Sequence, residues 1–316
     1  MQDPRENNRS IRQRALELGF LQAGMARADH LEEDAARLRE WLDRGYHGSM
    51  GYMENHFEKR TDPRKLVEGA RSVVVVLQNY FTAESQLDKA APRISKYARG
   101  KDYHRMMRKK LRSLYAFMAE HLGAQTGRIF VDSAPVLERA WGRLAGLGWI
   151  GKHSLLLNRR FGSWFFIGVI ISDLELQPDM PMKDYCGDCT RCVDACPTHA
   201  ILPGKVVDAS RCISYLTIEN RADRLPVTFR GKMQNWAFGC DICQEVCPWN
   251  NNAHPHAEPW LTPRPGLLEM SRADWAALDE AKFDRLFEGS AVRRTGYKGL
   301  RRNIDFLEEG YEMKDL

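Results

Sequence analysis

The chain of 316 residues carries 47 Lys and Arg against 42 Asp and Glu, a formal charge of +5. That balance is compatible with a phosphate-binding face without requiring one, and its most apolar run, WFFIGVII at 164–171, is too short to span a bilayer. The polar start MQDPRENNRSIRQRALELG lacks the charged-then-apolar pattern of a leader, so the expectation is a cytosolic protein in which thiols stay reduced and clustered cysteines hold metal.

Apolar residues recur at helical spacing over 8–20 and 31–44. RSVVVVLQNY at 71–80 is a β-branched run of strand length. A long helix is predicted over 103–122, with Met106, Met107, Leu111, Leu114, Tyr115 and Met118 inward. RIFVD at 128–132 reads as a second strand ending on an acid, followed by a proline-started helix from Pro135 to Ala145, striped by Leu137, Ala140, Trp141 and Leu144. WFFIGVIIS at 164–172 is a third strand. Strands interleaved with helices predict an α+β fold whose larger part, residues 1–176, is an α/β sandwich with no internal repeat. Residues 177–255 hold all the cysteines, and 256–316 begin as a polar, proline-rich linker and return to helix.

GLGWIGKHS at 146–154 has glycines at G-x-G-x-x-G spacing and nearly spells a phosphate-binding loop. Both motifs need a strand before and a helix after. Here the order is reversed, and His153 occupies the position of the magnesium-binding hydroxyl. What remains is a glycine-rich turn carrying Lys152 and His153, where backbone can approach a cofactor closely.

The eight cysteines all lie between Cys186 and Cys247. CGDCTRCVDACP has the spacing C-x2-C-x2-C-x3-C-P, the ferredoxin pattern for a [4Fe-4S] cube, in which the fourth cysteine ligates the other cluster. Cys186, Cys189 and Cys192 would then hold cluster one, closed by Cys247. Cys196 would join Cys240 and Cys243 in cluster two. The second motif, GCDICQEVCP, has Ala237 where its first ligand would stand, which leaves Cys212 as the eighth thiolate and the missing ligand. A structural zinc ribbon would use pairs of ligands, four to an ion, and does not explain the triple. Two cubes pass single electrons, and the large remainder of the chain offers them a destination.

Asp132, at the end of a core strand, is a candidate general acid, since burial raises a carboxyl pKa and keeps a proton available. A capping role before the next helix is the competing explanation.

VDSAPVLERAWGRLAGLGWIGKHSLL, RRFGSWFFIG, the eight-cysteine segment and AVRRTGYKGLRRN, in that order, resemble the epoxyqueuosine reductase family over nearly the whole chain; GYMENHFEKRTDPRKL and ISKYARGKDYH agree. The resemblance implies a cobalamin-dependent iron-sulfur oxidoreductase that converts epoxyqueuosine to queuosine in the anticodon loop of tRNA, the last step of making that base. It implies that Asp132 donates the proton, and that Arg60, Tyr97, Lys152, His153 and Ser163, with Asp132, lie near cobalamin. DYHRMM at 102–107 does not match the motif that supplies a histidine to cobalt, so a corrin without a protein histidine is expected. An unidentified electron donor and a monomeric state complete the expectation. Many family members extend past RRTG into helical repeats thought to assist tRNA binding, and this chain ends soon after it. Where an acidic residue is expected after the glycine of the third strand, the sequence has Val169.

For RNA, two basic clusters stand out: Arg105, Arg108, Lys109, Lys110 and Arg112, read chiefly as a solvated helix face, and Arg293, Arg294, Lys298, Arg301 and Arg302, where glycine and tyrosine are interleaved and an unstacked base would find an aromatic partner. The alternative function is a corrinoid iron-sulfur reductase of a small molecule, resembling reductive dehalogenases, which generally carry a twin-arginine export signal not visible here.

Overall fold

A computed structural model describes residues 3–312. Its centre is a four-stranded sheet of β1 (Gln22–Arg27), β2 (Ser72–Asn79), β3 (Gly127–Phe130) and β4 (Phe165–Ser172), in the order β1-β2-β4-β3. Every neighbouring pair is antiparallel, with β2 and β4 in register from Ser72 opposite Ser172 to Asn79 opposite Phe165. The valine run of β2 is buried on both faces because helices cover both, which is why it reads as continuously apolar and does not alternate.

On one face Met25, Val74, Val76, Phe166 and Ile170 meet two helices: α1 (Pro4–Glu17) through Ile11 and Ala15, and α2 (Tyr103–Leu122) through Met106, Met107, Leu111, Leu114 and Met118. Burying each large α2 side chain contributes about 1.5–3 kcal/mol. Tyr115 departs from the expected inward stripe. It is half-buried against the sheet edge, where a Cβ on Gly127 would come within 2.5 Å of its ring. On the opposite face Val73, Val75, Leu77, Val169 and Ile171 pack on Ala140 and Trp141 of α3 (Glu138–Leu144). Val169 is fully buried there, in a setting where a carboxylate would face only apolar neighbours.

α3 begins three residues later than expected, at Glu138. Between β3 and α3 the chain turns through Asp132 in the left-handed region, φ 55°, so Pro135 lies in the turn rather than in the helix. The long helix is capped as designed by its neighbours: the Asp102 carboxylate accepts from His104 N–H at one end, and Gly123, φ 85°, closes the other.

A third core joins residues 91–98, the stretch between the cysteine motifs and the C-terminal helices. Trp236–Phe238 pairs with Arg93–Ile94 and packs against α4 (Gly296–Glu312) through Leu300 and Ile304. Asn303 on α4 donates from Nδ2 to the carbonyls of Thr217 and Ala237 at 2.9 and 2.8 Å.

Candidate active site

The left-handed turn presents the Asp132 carboxylate to the first turn of α2. His104 Nε2 lies 3.3 Å from Asp132 Oδ2, and His104 Nδ1 lies 2.6 Å from Asp102 Oδ1. The imidazole is held flat against the Tyr103 ring, 4.2 Å between centroids, which in turn stacks on Phe166 of β4 at 3.8 Å. Sheet, helix and turn therefore each fix one side of this pair.

Burial opposes a charge on His104, but the two carboxylates outweigh it and push its pKa up to about 9. Burial pushes the Asp132 carboxyl up, and His104, the Tyr103 hydroxyl and the Arg294 guanidinium outweigh that and hold it below its ordinary value. The expectation that burial keeps a proton on Asp132 is thus corrected: the resting proton belongs to His104. Asp132 lies in a wide recess, with 56% of its side-chain surface open to solvent although protein rings it.

Glu138 begins α3 along the same wall. One of its oxygens, Oε1, is buried without a hydrogen-bond partner, and burial, followed by the charge of Asp132, pushes its pKa up to about 8. The neighbouring Arg139 donates to the Ser154 carbonyl at 2.6 Å. Arg60 is buried and donates to the carbonyls of Tyr52 and Asn55. It pairs with neither Asp62, which holds Arg64, nor Glu58, which holds Lys65. The half-buried Tyr97 ring packs edge-on to Tyr103 and Phe166, and its hydroxyl is pushed well up by burial and by the charge of Asp132.

The glycine stretch is a hairpin, with Trp149–Ile150 paired to Leu156–Leu157. Gly148 is required because a Cβ would sit 2.0 Å from the Leu157 carbonyl oxygen. His153, at the hairpin turn beside the half-buried Lys152, is buried; its Nδ1 accepts from Leu155 N–H, and its Nε2 has no partner. Burial and the Arg139 charge push its pKa down to about 4, so it is neutral with the proton on Nε2. The Ser163 hydroxyl donates to Gln244 at 2.9 Å within a buried network that includes Asn250.

Burial raises several of the eight thiols, with neighbouring thiols adding to it. Cys247 is pushed up to about 11 by burial and by Cys192, Cys186 and Cys189, the cysteines assigned with it from spacing. Cys212 is raised by burial and by Cys196, and Cys240 by burial, Cys243 and Cys212. Burial pushes the Cys243 thiol well up, and Cys212, Asp241, Cys192 and Cys196 add to it. Among the described residues no three His, Cys, Asp or Glu side chains converge as for one ion. Backbone and indole N–H groups point at two sulfurs: Trp149 Nε1 lies 3.4 Å from Cys186 Sγ, and Ala200 N 3.3 Å from Cys196 Sγ. Ala237, where a matching first ligand of the second motif would stand, is fully buried in the Trp236–Phe238 strand. The hairpin abuts the first quartet: Trp149 packs on Trp249 and Tyr185 at 5.0 and 5.1 Å, in a cluster with Cys186 and Cys247.

Residues 60–133 match a family model described as epoxyqueuosine reductase QueG, DUF1730, and 185–250 match a 4Fe-4S double cluster binding domain. An epoxyqueuosine reductase of Cellulophaga algicola is 52% identical over 298 residues, covering 94% of this chain and 97% of the relative. The chain belongs to the epoxyqueuosine reductase family. It is an oxidoreductase with a double-cluster iron-sulfur domain. A solved epoxyqueuosine reductase, crystallised with an epoxyqueuosine-modified tRNA-Tyr stem loop, superposes with TM-score 0.86 at 29% identity, over 98% of this chain and 83% of that one. A catabolic reductive dehalogenase matches with TM-score 0.52 at 17% identity, over 99% of this chain and 37% of that one, a likeness of fold alone.

Sequence reasoning missed Tyr103, His104, Glu138 and Arg139. A signal was available for His104, since Asp-x-His at a helix start places the imidazole on the capping carboxylate. Glu138 gave none, because its neighbours come from a turn that propensity did not foresee.

Proposed function

We propose that this protein reduces the epoxide of epoxyqueuosine in the tRNA anticodon loop to the alkene of queuosine, with cobalamin reduced through two [4Fe-4S] clusters. The observation that carries the reading is 52% identity along nearly the full chain to an epoxyqueuosine reductase. The Asp132–His104 pair supports it with a held proton, and the Trp149 hairpin with its contact to Cys186 and Cys247. Small organohalide reduction is the weaker reading, resting on fold likeness at 17% identity.

The reaction breaks two C–O bonds and forms a C=C bond. It consumes two electrons and two protons and releases the oxygen as water. Electrons come singly from a low-potential donor through the clusters. Cys186, Cys189, Cys192 and Cys247 would ligate one cube, and Cys196, Cys212, Cys240 and Cys243 the other. Of the two quartets, the first adjoins the Trp149 hairpin that carries Lys152 and His153.

The chemistry of the recess fits a corrin. The unpartnered Glu138 Oε1 accepts and the unpartnered His153 Nε2–H donates, matching the amide groups on a corrin rim. Arg60, Tyr97, Glu138, Lys152 and His153 would hold it. The Ser163 hydroxyl is already committed to Gln244. Bound cobalamin would supply a strongly reducing centre able to deliver an electron pair. The proton held on His104, which Asp102 orients, would pass through the ionised Asp132 carboxylate to the departing epoxide oxygen. No described helix is long and apolar enough to cross a membrane, and we place the enzyme in the cytoplasm with its tRNA, acting as a monomer.

Expression in cells that accumulate epoxyqueuosine tests the reading. Queuosine in their tRNA is the expected result. Persistence of epoxyqueuosine beside protein loaded with iron and cobalt would overturn it.

A further inference from the structure

Residues 103–119 contain no acidic side chain. On α2, Arg105, Arg108, Lys109 and Arg112 recur at i, i+3, i+4 and i+7, and all four are exposed. A solvated helix face ordinarily gains from opposite charges at these spacings. Here both i,i+4 pairs, Arg105 with Lys109 and Arg108 with Arg112, are like-charged, and Arg105 stands in the first turn, where the helix dipole repels cations. The stripe works against the helix that carries it, so helix stability does not account for it.

Its position does. The same N-terminal turn delivers His104 to Asp132, and Arg108 donates to the Ser133 hydroxyl, one residue beyond Asp132, at 3.0 Å. Lys101 and Arg105 lie over the Trp260 ring at 5.0 and 6.0 Å, extending the positive face around the start of α2. Arg105 to Arg112 spans about 10 Å along the axis, the rise of roughly three nucleotides of one strand.

The tail cluster is occupied with internal partners. Arg293 pairs with Asp284 and Arg294 with Glu219. Arg301 binds Asp305 and the Ala276 carbonyl, and Arg302 donates to the carbonyls of Leu216, Asn220 and Ala222. Among the described residues Lys298 is the one tail cation with no such partner.

We propose that the Arg105, Arg108, Lys109 and Arg112 stripe holds backbone phosphates of the RNA strand adjoining the nucleotide presented to Asp132. The proposal rests on the reading of tRNA as substrate and assigns its electrostatic footprint to α2 and not to the tail.

The test is equilibrium binding of a synthetic anticodon stem-loop RNA to the reconstituted holoenzyme across a salt series. The triple variant R105Q/K109Q/R112Q leaves Arg108 and the Asp132 recess intact, and K298Q is the tail control. The expected result is at least tenfold weaker binding by the triple variant and a log-log salt slope shallower by about 2–3, since each lost phosphate contact removes roughly 0.7–0.9. K298Q and the charge-preserving R105K/R112K should bind as wild type. Should the triple variant fold poorly, K109Q/R112Q is measured in its place, with a slope about 1.5 shallower expected. Wild-type binding with an unchanged slope in the variants, or a loss confined to K298Q, overturns the stripe and leaves the substrate reading standing. A wild-type holoenzyme that does not bind the RNA overturns both.

Discussion

The imidazole of His104 and the carboxylate of Asp132 lie 3.3 Å apart, with the second imidazole nitrogen on Asp102. This arrangement stores a proton beside the ionised residue that would deliver it. With the His104 pKa raised from 6.5 to about 9, the store is full at neutral pH. Single-turnover rates should fall as pH rises through about 9, and in His104→Asn this limb should shift or vanish while cluster absorption is unchanged.

The same pair makes a signed statement about stability. A raised imidazolium favours the folded state fully below its ordinary value of 6.5, and that contribution disappears as pH climbs through about 9. Asp132, held below its ordinary 3.8, contributes above that value and loses its contribution as pH falls beneath it. Denaturant midpoints of wild type and His104→Asn should therefore differ most between about pH 4 and 6.5, less at neutral pH, and converge above about pH 9.

Asp132→Asn removes the proton-delivering carboxylate without changing shape. Corrin and both clusters should be retained, while the single-turnover rate drops about 10²–10⁴-fold, the usual worth of a positioned acid. An unchanged rate would reduce Asp132 to a turn residue.

Cys212→Ser should roughly halve the iron content and leave one cube, because only the second quartet loses a thiolate. Loss of both cubes or of neither, by iron analysis and low-temperature electron paramagnetic resonance, would reject the assignment.

Asn303 bolts α4 to the strand beside the second cysteine motif. Asn303→Ala leaves the Thr217 and Ala237 carbonyls unpaired in a site 1% exposed, at about 1–3 kcal/mol for each. Thermal unfolding should shift down accordingly, and the cube held by Cys240 should be lost first on mild heating.

Some of this was legible in the residues and some was not. The x2 spacing of the first three thiols is a local property of a short loop and is plain in the sequence, whereas the pairing of Cys247 with them and the role of Cys212 join distant segments and await the iron analysis. The valine run of β2 and the stripe of α2 likewise carry their burial in their pattern. The turn through Asp132 was not legible, since it depends on a left-handed residue at a strand end, and the α3 start moved with it. For the tail arginines, the internal partners were not legible: Arg302 reaches carbonyls about 80 residues away, Arg294 pairs with Glu219, and Arg293 and Arg301 pair with Asp284 and Asp305. Conversely, α2's cations look merely solvated until the fold sets them beside Asp132.

The most direct measurement is an anaerobic single-turnover assay on tRNA carrying epoxyqueuosine, with the nucleosides read by mass spectrometry. Queuosine should form only when cobalamin and both clusters are present together with a reductant. Fully loaded enzyme that leaves epoxyqueuosine unchanged would contradict the account.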